Sequence, residues 1–394
     1  MRRSKFAAIG VAAVMAAGLA ACGEESSGAG GSDGVFKVGF TSDLSGKYAL
    51  NGVGQRDGFK AYFDYVNSQG GIDGHKVDVT YLDDASDLTR GTANTTQLMT
   101  VDRVSAIGGY ILSNVCGAAG AIADANKVPI NCATVTDDLM DPVQPYVYTA
   151  RMVQSNEALP MVTLAEKLVD SDKPKVAIIV YASAASVTLQ EKLEALVEEK
   201  GWELVASEQV PLTASDASAQ TAKVIAAEPD VVLGALYDPL AVEFMRALKA
   251  KKVDIPFIDY DGASYTSGLL AVKDPNFHVF SSFSLDGKGE GEGLEQYRAA
   301  LEAAGVDPTT PYVNNGYAQA FSIGEGLKQC GYPCTGEDMQ KALDEQDVDT
   351  GGFAAGPMAY SPDDHEGMGF ANFYYWDPAS KSVKASLEGT PAGS

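Results

Sequence analysis

The feature that most constrains this chain is an alternation. Short runs dense in β-branched and aromatic residues, FKVGF (36–40), KVDVTYL (76–82), KVAIIVY (175–181) and DVVLGAL (230–236), are separated by stretches with helical spacing such as EKLEALVEEK (191–200) and AVEFMRALKA (241–250). Strands that alternate with helices of that length make βα units and mainly parallel sheets. Several of the runs are apolar on both faces, as strands covered by helices on both sides should be. A doubly wound sheet of ~5 to 6 strands uses only part of such a pattern. The expectation is therefore an α/β protein of two doubly wound lobes in tandem, and 394 residues are enough to bury a core in each.

That architecture says where a ligand would sit. In open parallel sheets the crevice lies beyond the carboxyl ends of the strands, where loops lead into helix N-termini whose N–H groups suit an anion. The loops in those positions are TSDLSGKYALNG (41–52), YILSN (110–114), NCATVTDD (131–138), YASAAS (181–186), LYDP (236–239) and YDGAS (260–264). They are rich in Ser, Thr, Asn, Tyr and Asp and poor in long side chains, a lining for a small polar ligand.

The N-terminus sets the compartment. Arg2, Arg3 and Lys5 precede an Ala/Val-rich run over 6–20, the layout of a secretory signal peptide. The run is too short to span a bilayer, which takes ~20 apolar residues. It ends in LAAC (19–22), which resembles the lipobox of bacterial lipoproteins and implies a lipid on Cys22 once residues 1–21 are removed; the competing reading is a free cysteine near a conventional cleavage site. The Arg2-Arg3 pair is compatible with twin-arginine export but is weak support for it. Residues 22–34, Gly- and Ser-rich, read as a flexible tether. The expected location is the outer face of the bacterial cell membrane, with contact through the lipid alone.

Charge and cysteines fit an exported, soluble body. The formal charge of −24 argues against nucleic acid as a partner and against adhesion to anionic lipid by charge. Cysteines 116, 132, 330 and 334 remain after the leader. The local pairings among the three possible, Cys116 with Cys132 and Cys330 with Cys334, are the expected disulfides in an oxidising compartment; four buried thiols are the alternative.

The stretch VGFTSDLSGKYALNGVGQRDGFKAYFDYVNSQGGIDGHKVDVTYLDDASD resembles the opening of the type I periplasmic binding proteins of the branched-chain amino acid group. The resemblance continues through VSAIGGYILSN, VPINCATVTDDL, LYDPLAVEFMRALK followed by FIDYDG, and GPMAYSPDDHEGMGFANFYYWDPAS. It implies two α/β lobes joined by three crossovers, lobe 1 from 35–149 plus 284–370 and lobe 2 from 150–283 plus 371–394. It implies a monomer without cofactor that closes around a small ligand, an amino acid or small carboxylate, and hands it to the permease subunits of an ABC importer.

The resemblance also implies a site. The ligand carboxylate would meet Thr134 and the backbone of Cys132 and Ala133, with Ser113 as companion, although an ungapped alignment puts Leu112 there. Across the cleft the ammonium would meet Asp261, with Tyr237 as an aromatic neighbour. Hydroxyls and helix N-termini opposite a carboxylate suit a zwitterion. The competing readings are a solvated turn residue for Asp261, beside Gly262, and a helix cap for Thr134. Two departures remove aromatic walls: Asn51 stands where relatives often carry an aromatic residue, and Ala185 or Ser186 where they have tyrosine. Less apolar wall weakens leucine or makes room for something larger.

An enzyme is the weaker alternative. His75, His278 and His365 are far apart in sequence and form no H-E-x-x-H. There is no G-x-S-x-G, and GKGEGEG (287–293) lacks the spacing of a phosphate loop, reading instead as an acidic loop before a helix. Asp83, Asp84 and Asp87 lack EF-hand spacing and read as a strand-end loop, so no metal site is expected. A ligand sensor built on the same two lobes is the closer rival to transport.

Overall fold

The computed structural model describes residues 34–133, 136–260 and 265–392. Cys22 and the leader lie outside these residues. The first lobe begins with β1 (Val35–Ser42), α1 (Ala49–Ser68), β2 (Lys76–Asp83), α2 (Leu88–Gln97), β3 (Ala106–Gly109), α3 (Ser113–Asn126), β4 (Ile130–Cys132) and β5 (Val147–Thr149). Its five strands are parallel, in the order β2-β1-β3-β4-β5.

The second lobe runs α4 (Ala158–Leu168), β6 (Lys175–Tyr181), α5 (Ala184–Glu199), β7 (Glu203–Val210), α6 (Ser218–Ala226), β8 (Val231–Ala235), α7 (Asp238–Lys251), β9 (Phe257–Asp259), α8 (Tyr265–Val272) and β10 (Phe277–Ser281). The chain then packs α9 (Glu292–Ala304) and α10 (Val313–Cys330) against α1 of the first lobe. It continues as α11 (Gly336–Asp344) and the small pair β11 (Asp347–Val348) and β12 (Met358–Ala359). Finally it crosses back as β13 (Phe370–Asp377) and β14 (Ser382–Pro391). The second sheet has the order β14-β13-β10-β9-β8-β6-β7, parallel except that β13 runs antiparallel to both its neighbours. The chain thus passes between the lobes three times, after β5, after β10 and before β13.

The two sheets share a winding. Read from the edge, β2-β1-β3-β4-β5 and β7-β6-β8-β9-β10 follow one scheme, the doubly wound order whose reversal opens a crevice at the strands' carboxyl ends. The apolar runs do what their composition requires. In β6 the five central residues, and in β8 all five, are buried on both faces, and the expected helices appear as α5 and α7. The acidic loop at 287–291 leads into α9, and Asp87 caps α2 by accepting from the Arg90 N–H at 2.7 Å. α10 runs to Cys330, so the second disulfide starts in its last turn.

In the first lobe α1 and α10 touch backbone to backbone. A Cβ on Gly54 or Gly58 would lie 1.9 Å from the carbonyl oxygens of Pro311 and Val313, and one on Gly316 would lie 1.8 Å from that of Gln55. This approach lets Gln55 and Gln319 meet in the core. Gln55 Nε2 donates to Gly109 O and Gln319 Oε1, both at 2.9 Å, and Gln319 Nε2 donates to Asn131 O at 2.8 Å. Aromatic contacts fill the surrounding space: Phe40 with Phe59 at 5.1 Å, Tyr62 with Tyr317 at 5.2 Å, and Tyr297 with Phe353 at 5.0 Å between ring centres.

Both expected disulfides are formed, Cys116–Cys132 and Cys330–Cys334. The first ties the opening turn of α3 to the end of β4. The second closes the loop after α10 and presents Tyr332, which stacks on His75 at 4.1 Å and meets Phe36 of β1 edge-on at 5.3 Å.

Candidate functional site

A cavity of about 620 Å³ opens where the two switch points face each other. Its first-lobe wall is the N-terminal part of α3 (Ser113, Asn114, Gly117, Ala118) with the segment Thr136–Leu139; its second-lobe wall is the N-terminal part of α5 (Ala184, Ala185, Thr188). The volume is in the range of small-molecule sites. Each wall is built by a strand-to-helix turn. Gly109 ends β3 with φ +112°, and a Cβ there would lie 2.1 Å from Thr41 O, so only glycine lets the chain turn into α3 at this spot. α3 then starts from Leu112, which offers no side-chain cap. α5 starts from Ser183, whose hydroxyl accepts from the Ser186 N–H at 3.2 Å. Two helix N-termini and their partial positive charge thus face one space.

Of the residues expected at the site, Ser113 lines this cavity as the first residue of α3. Cys132 is the last residue of β4, buried and committed to its disulfide. The Ala133 N–H, expected to face a ligand carboxylate, donates instead to Gly109 O at 3.1 Å, because β4 keeps pairing with β3 one residue past its end. Asn51 sits in the first turn of α1 and Tyr237 precedes α7 with its ring 4.9 Å from that of Tyr181; neither is among the residues that line the cavity. Thr134 and Asp261 lie outside the described residues. Ala185 does form part of the wall, whereas Ser186 is turned into hydrogen bonds with Ser183 and Gln154.

Sequence reasoning missed the cleft floor. The first crossover carries a single helical turn over Gln154–Glu157. Gln154 Nε2 donates to Ser186 Oγ at 3.0 Å in the second lobe, and Ser155 Oγ donates to Asp137 Oδ1 in the first. One turn therefore grips both walls. Near it, Arg151 is buried with its guanidinium 5.7 Å from the Tyr312 ring centre. Burial pushes the Tyr260 hydroxyl far above its ordinary range; Asp259, Tyr312 and Glu157 add to the shift and Arg151 opposes it. The sequence signal for these residues was present only as polar letters between strands, with no spacing rule to connect them.

The loop after β1 is held by carboxylates. Asp43 accepts from the N–H groups of Ser45, Gly46 and Tyr48, and Asp83 accepts from those of Leu44 and Ala85. Burial drives Asp43 upward, yet its bonds with Ser86, Tyr48, Gly46 and Ser45 outweigh it and hold the carboxyl below its usual range. Asp84 is pushed up to about 6, chiefly by burial. Asp83, Asp84 and Asp87 thus stand in the strand-end loop expected of them, where they accept from the N–H groups of Ala85, Ser86 and Arg90.

Two lobes of one winding, linked by three crossovers and facing each other across a polar cavity, define a two-domain solute-binding architecture. The family model for periplasmic binding proteins matches residues 35–382, and the chain belongs to that family. Among its relatives, Leu/Ile/Val-binding protein homolog 7 of Brucella abortus (strain 2308) is 25% identical over 82% of this chain and 84% of its own length. Among solved structures, the branched-chain amino acid transporter substrate binding protein of Streptococcus pneumoniae in complex with isoleucine is 22% identical, with a TM-score of 0.70 over 90% of this chain and 100% of that one. The ABC transporter solute binding protein of R. palustris in complex with 4-hydroxybenzoate is 18% identical, with a TM-score of 0.70 over 90% of this chain and 96% of that one.

Proposed function

We propose that this protein is the extracytoplasmic solute-binding component of an ABC importer, tethered through a lipid on Cys22, that takes an amino acid or related small carboxylate between its lobes and delivers it to the permease. The observation that carries the reading is the cavity between the N-termini of α3 and α5, in a chain that matches the periplasmic binding protein family over residues 35–382. Its relatives named for leucine, isoleucine and valine favour the amino acid. The similar fold that holds 4-hydroxybenzoate favours, as second reading, a carboxylate without an ammonium group. On this reading the protein acts as a monomeric carrier and not as an enzyme. Lobe 1 comprises 35–149 plus 284–370 and lobe 2 comprises 150–283 plus 371–394. Ser113 and Thr134 meet the carboxylate and Asp261 meets the ammonium, with Tyr237 as its aromatic neighbour and Asn51 as a wall position without an aromatic side chain.

The test is thermal unfolding against a panel of amino acids, aromatic carboxylates, amides and short peptides. A ligand at ~100 times its dissociation constant stabilises by about 2.7 kcal/mol, a shift of several degrees. Asp261→Ala should abolish the shift from ammonium-bearing ligands and spare simple carboxylates. A panel in which no small solute moves the midpoint would defeat the transport reading.

A further inference from the structure

The hinge contains an acid with an unusual position. Glu366 lies on the third crossover, between residues that belong to the first lobe's sheet: Thr149 N–H donates to His365 O at 3.0 Å, and Gly367 N–H donates to Thr149 O at 2.8 Å. Its carboxylate faces the first crossover, accepting from the Val153 N–H at 2.9 Å through Oε1 and from Asn156 Nδ2 at 2.8 Å through Oε2. Asn156 Oδ1 in turn accepts from Lys192 Nζ of α5 at 2.6 Å. One side chain therefore joins two of the three crossovers and, through Asn156, reaches the helix whose first turn walls the cavity.

The bonded turn is the same Gln154–Glu157 turn that holds Ser186 on one wall and Asp137 on the other. We propose that Glu366 is a positioning residue for the cleft, a proton-sensitive latch that sets the first crossover and through it the spacing of both walls. This rests on the binding role proposed above.

The charges around the latch fix its sign. From the first lobe comes Asp137, and from its own crossover come Asp364, which accepts the Glu366 N–H at 2.9 Å, and His365, which lies 3.2 Å from Asp344 of α11. From the second lobe comes Lys192, one residue removed through Asn156. Arg151 precedes the turn and Glu157 ends it. Burial pushes Glu366 up to about 8; the bonds from Val153 and Asn156 oppose the shift, and Asp364 and Asp137 add to it. The junction therefore favours the neutral acid. Ionisation favours conformations in which the carboxylate regains water, that is, a loosened turn and lobes apart. With the acid at about 8 in the latched state and near its usual value when hydrated, latching weakens about tenfold between pH 7 and 9.

The decisive measurement is hydrogen exchange of the ligand-free full chain from pH 6 to 9, corrected for intrinsic rate, over residues 150–158. The expected result is about a tenfold loss of protection between pH 7 and 9 in the wild type, and a flat profile in Glu366→Gln, which removes the titrating group. Should that variant fail to fold, Asn156→Ala serves, since removing a bond that holds the Glu366 carboxyl down moves the step to higher pH. Protection that does not change with pH in the wild type, or a step that survives in Glu366→Gln, overturns the proposal. Titration with isoleucine adds a second readout: its dissociation constant should rise about tenfold over the same range only in the wild type. If isoleucine binds at no pH, the failure counts against the ligand reading, and the exchange profile still decides the latch.

Discussion

The two lobes share a winding but not a way of holding together. The first is cross-linked: two disulfides, a backbone-to-backbone helix contact and the Gln55–Gln319–Asn131 bonds run through it. The second has seven strands and a core of aliphatic and phenylalanine side chains such as Ile178, Val180, Leu233, Phe244 and Phe257, and neither disulfide lies in it. The difference teaches that one topology can be specified either by directional bonds or by shape and burial. Both tryptophans, Trp202 and Trp376, lie in the second lobe, so their fluorescence reports that lobe while circular dichroism reports both.

The largest break expected is Leu233→Ala. This central residue of β8 is fully buried, and its truncation should cost about 2–5 kcal/mol, lowering the fluorescence midpoint at least as much as the dichroism midpoint. An effect seen first in dichroism would mean that the truncation unfolds the first lobe before the second. Next comes the double change Cys116→Ser with Cys132→Ser, a linkage of sequence separation 16, worth about 3 kcal/mol. It should lower the dichroism midpoint more than the fluorescence midpoint; equal shifts would show that the lobes unfold as one unit.

The smallest and sharpest test is pH. Asp84 in the first lobe is raised to about 6 by burial, so its stabilising contribution is present below the unfolded value of 3.8 and is lost as pH rises through 6. His278 in the second lobe is lowered to about 4 by burial, so its contribution is present above 6.5 and is lost as pH falls toward 4. Going from pH 7 to 5 should therefore favour the first lobe by about 1 kcal/mol and disfavour the second by about 2 kcal/mol. Asp84→Asn and His278→Gln should each flatten one arm. Parallel movement of both signals would remove this contrast.

How much was legible follows from the range of the interactions. β6 and its following helix could be read because periodicity and β-branching are local. The disulfides could be read because both pairs are close in sequence. The site was only partly legible. Ser113 lines the cavity, as the loop position implied, but Ala133 spends its N–H on Gly109, a pairing made by a strand some twenty residues away and invisible in either segment. Asp137 fell within the loop 131–138 expected to line the crevice, whereas Gln154 and Glu366 gave no signal, because their roles arise from meeting partners far along the chain.

What the sequence determined by itself is the set of elements and their class: apolar runs buried on both faces, helices of matching length, glycines at turns, and cysteines placed for local bonds. These follow from preferences that act over a few residues. What the tertiary structure decided is the junction. It brings 137, 153–156, 186 and 366 together from both lobes and two crossings of the chain, and it places a carboxyl group where burial and neighbouring acids outweigh its hydrogen bonds. Desolvation and proximity depend on where distant segments end up, so they come into being only with the fold.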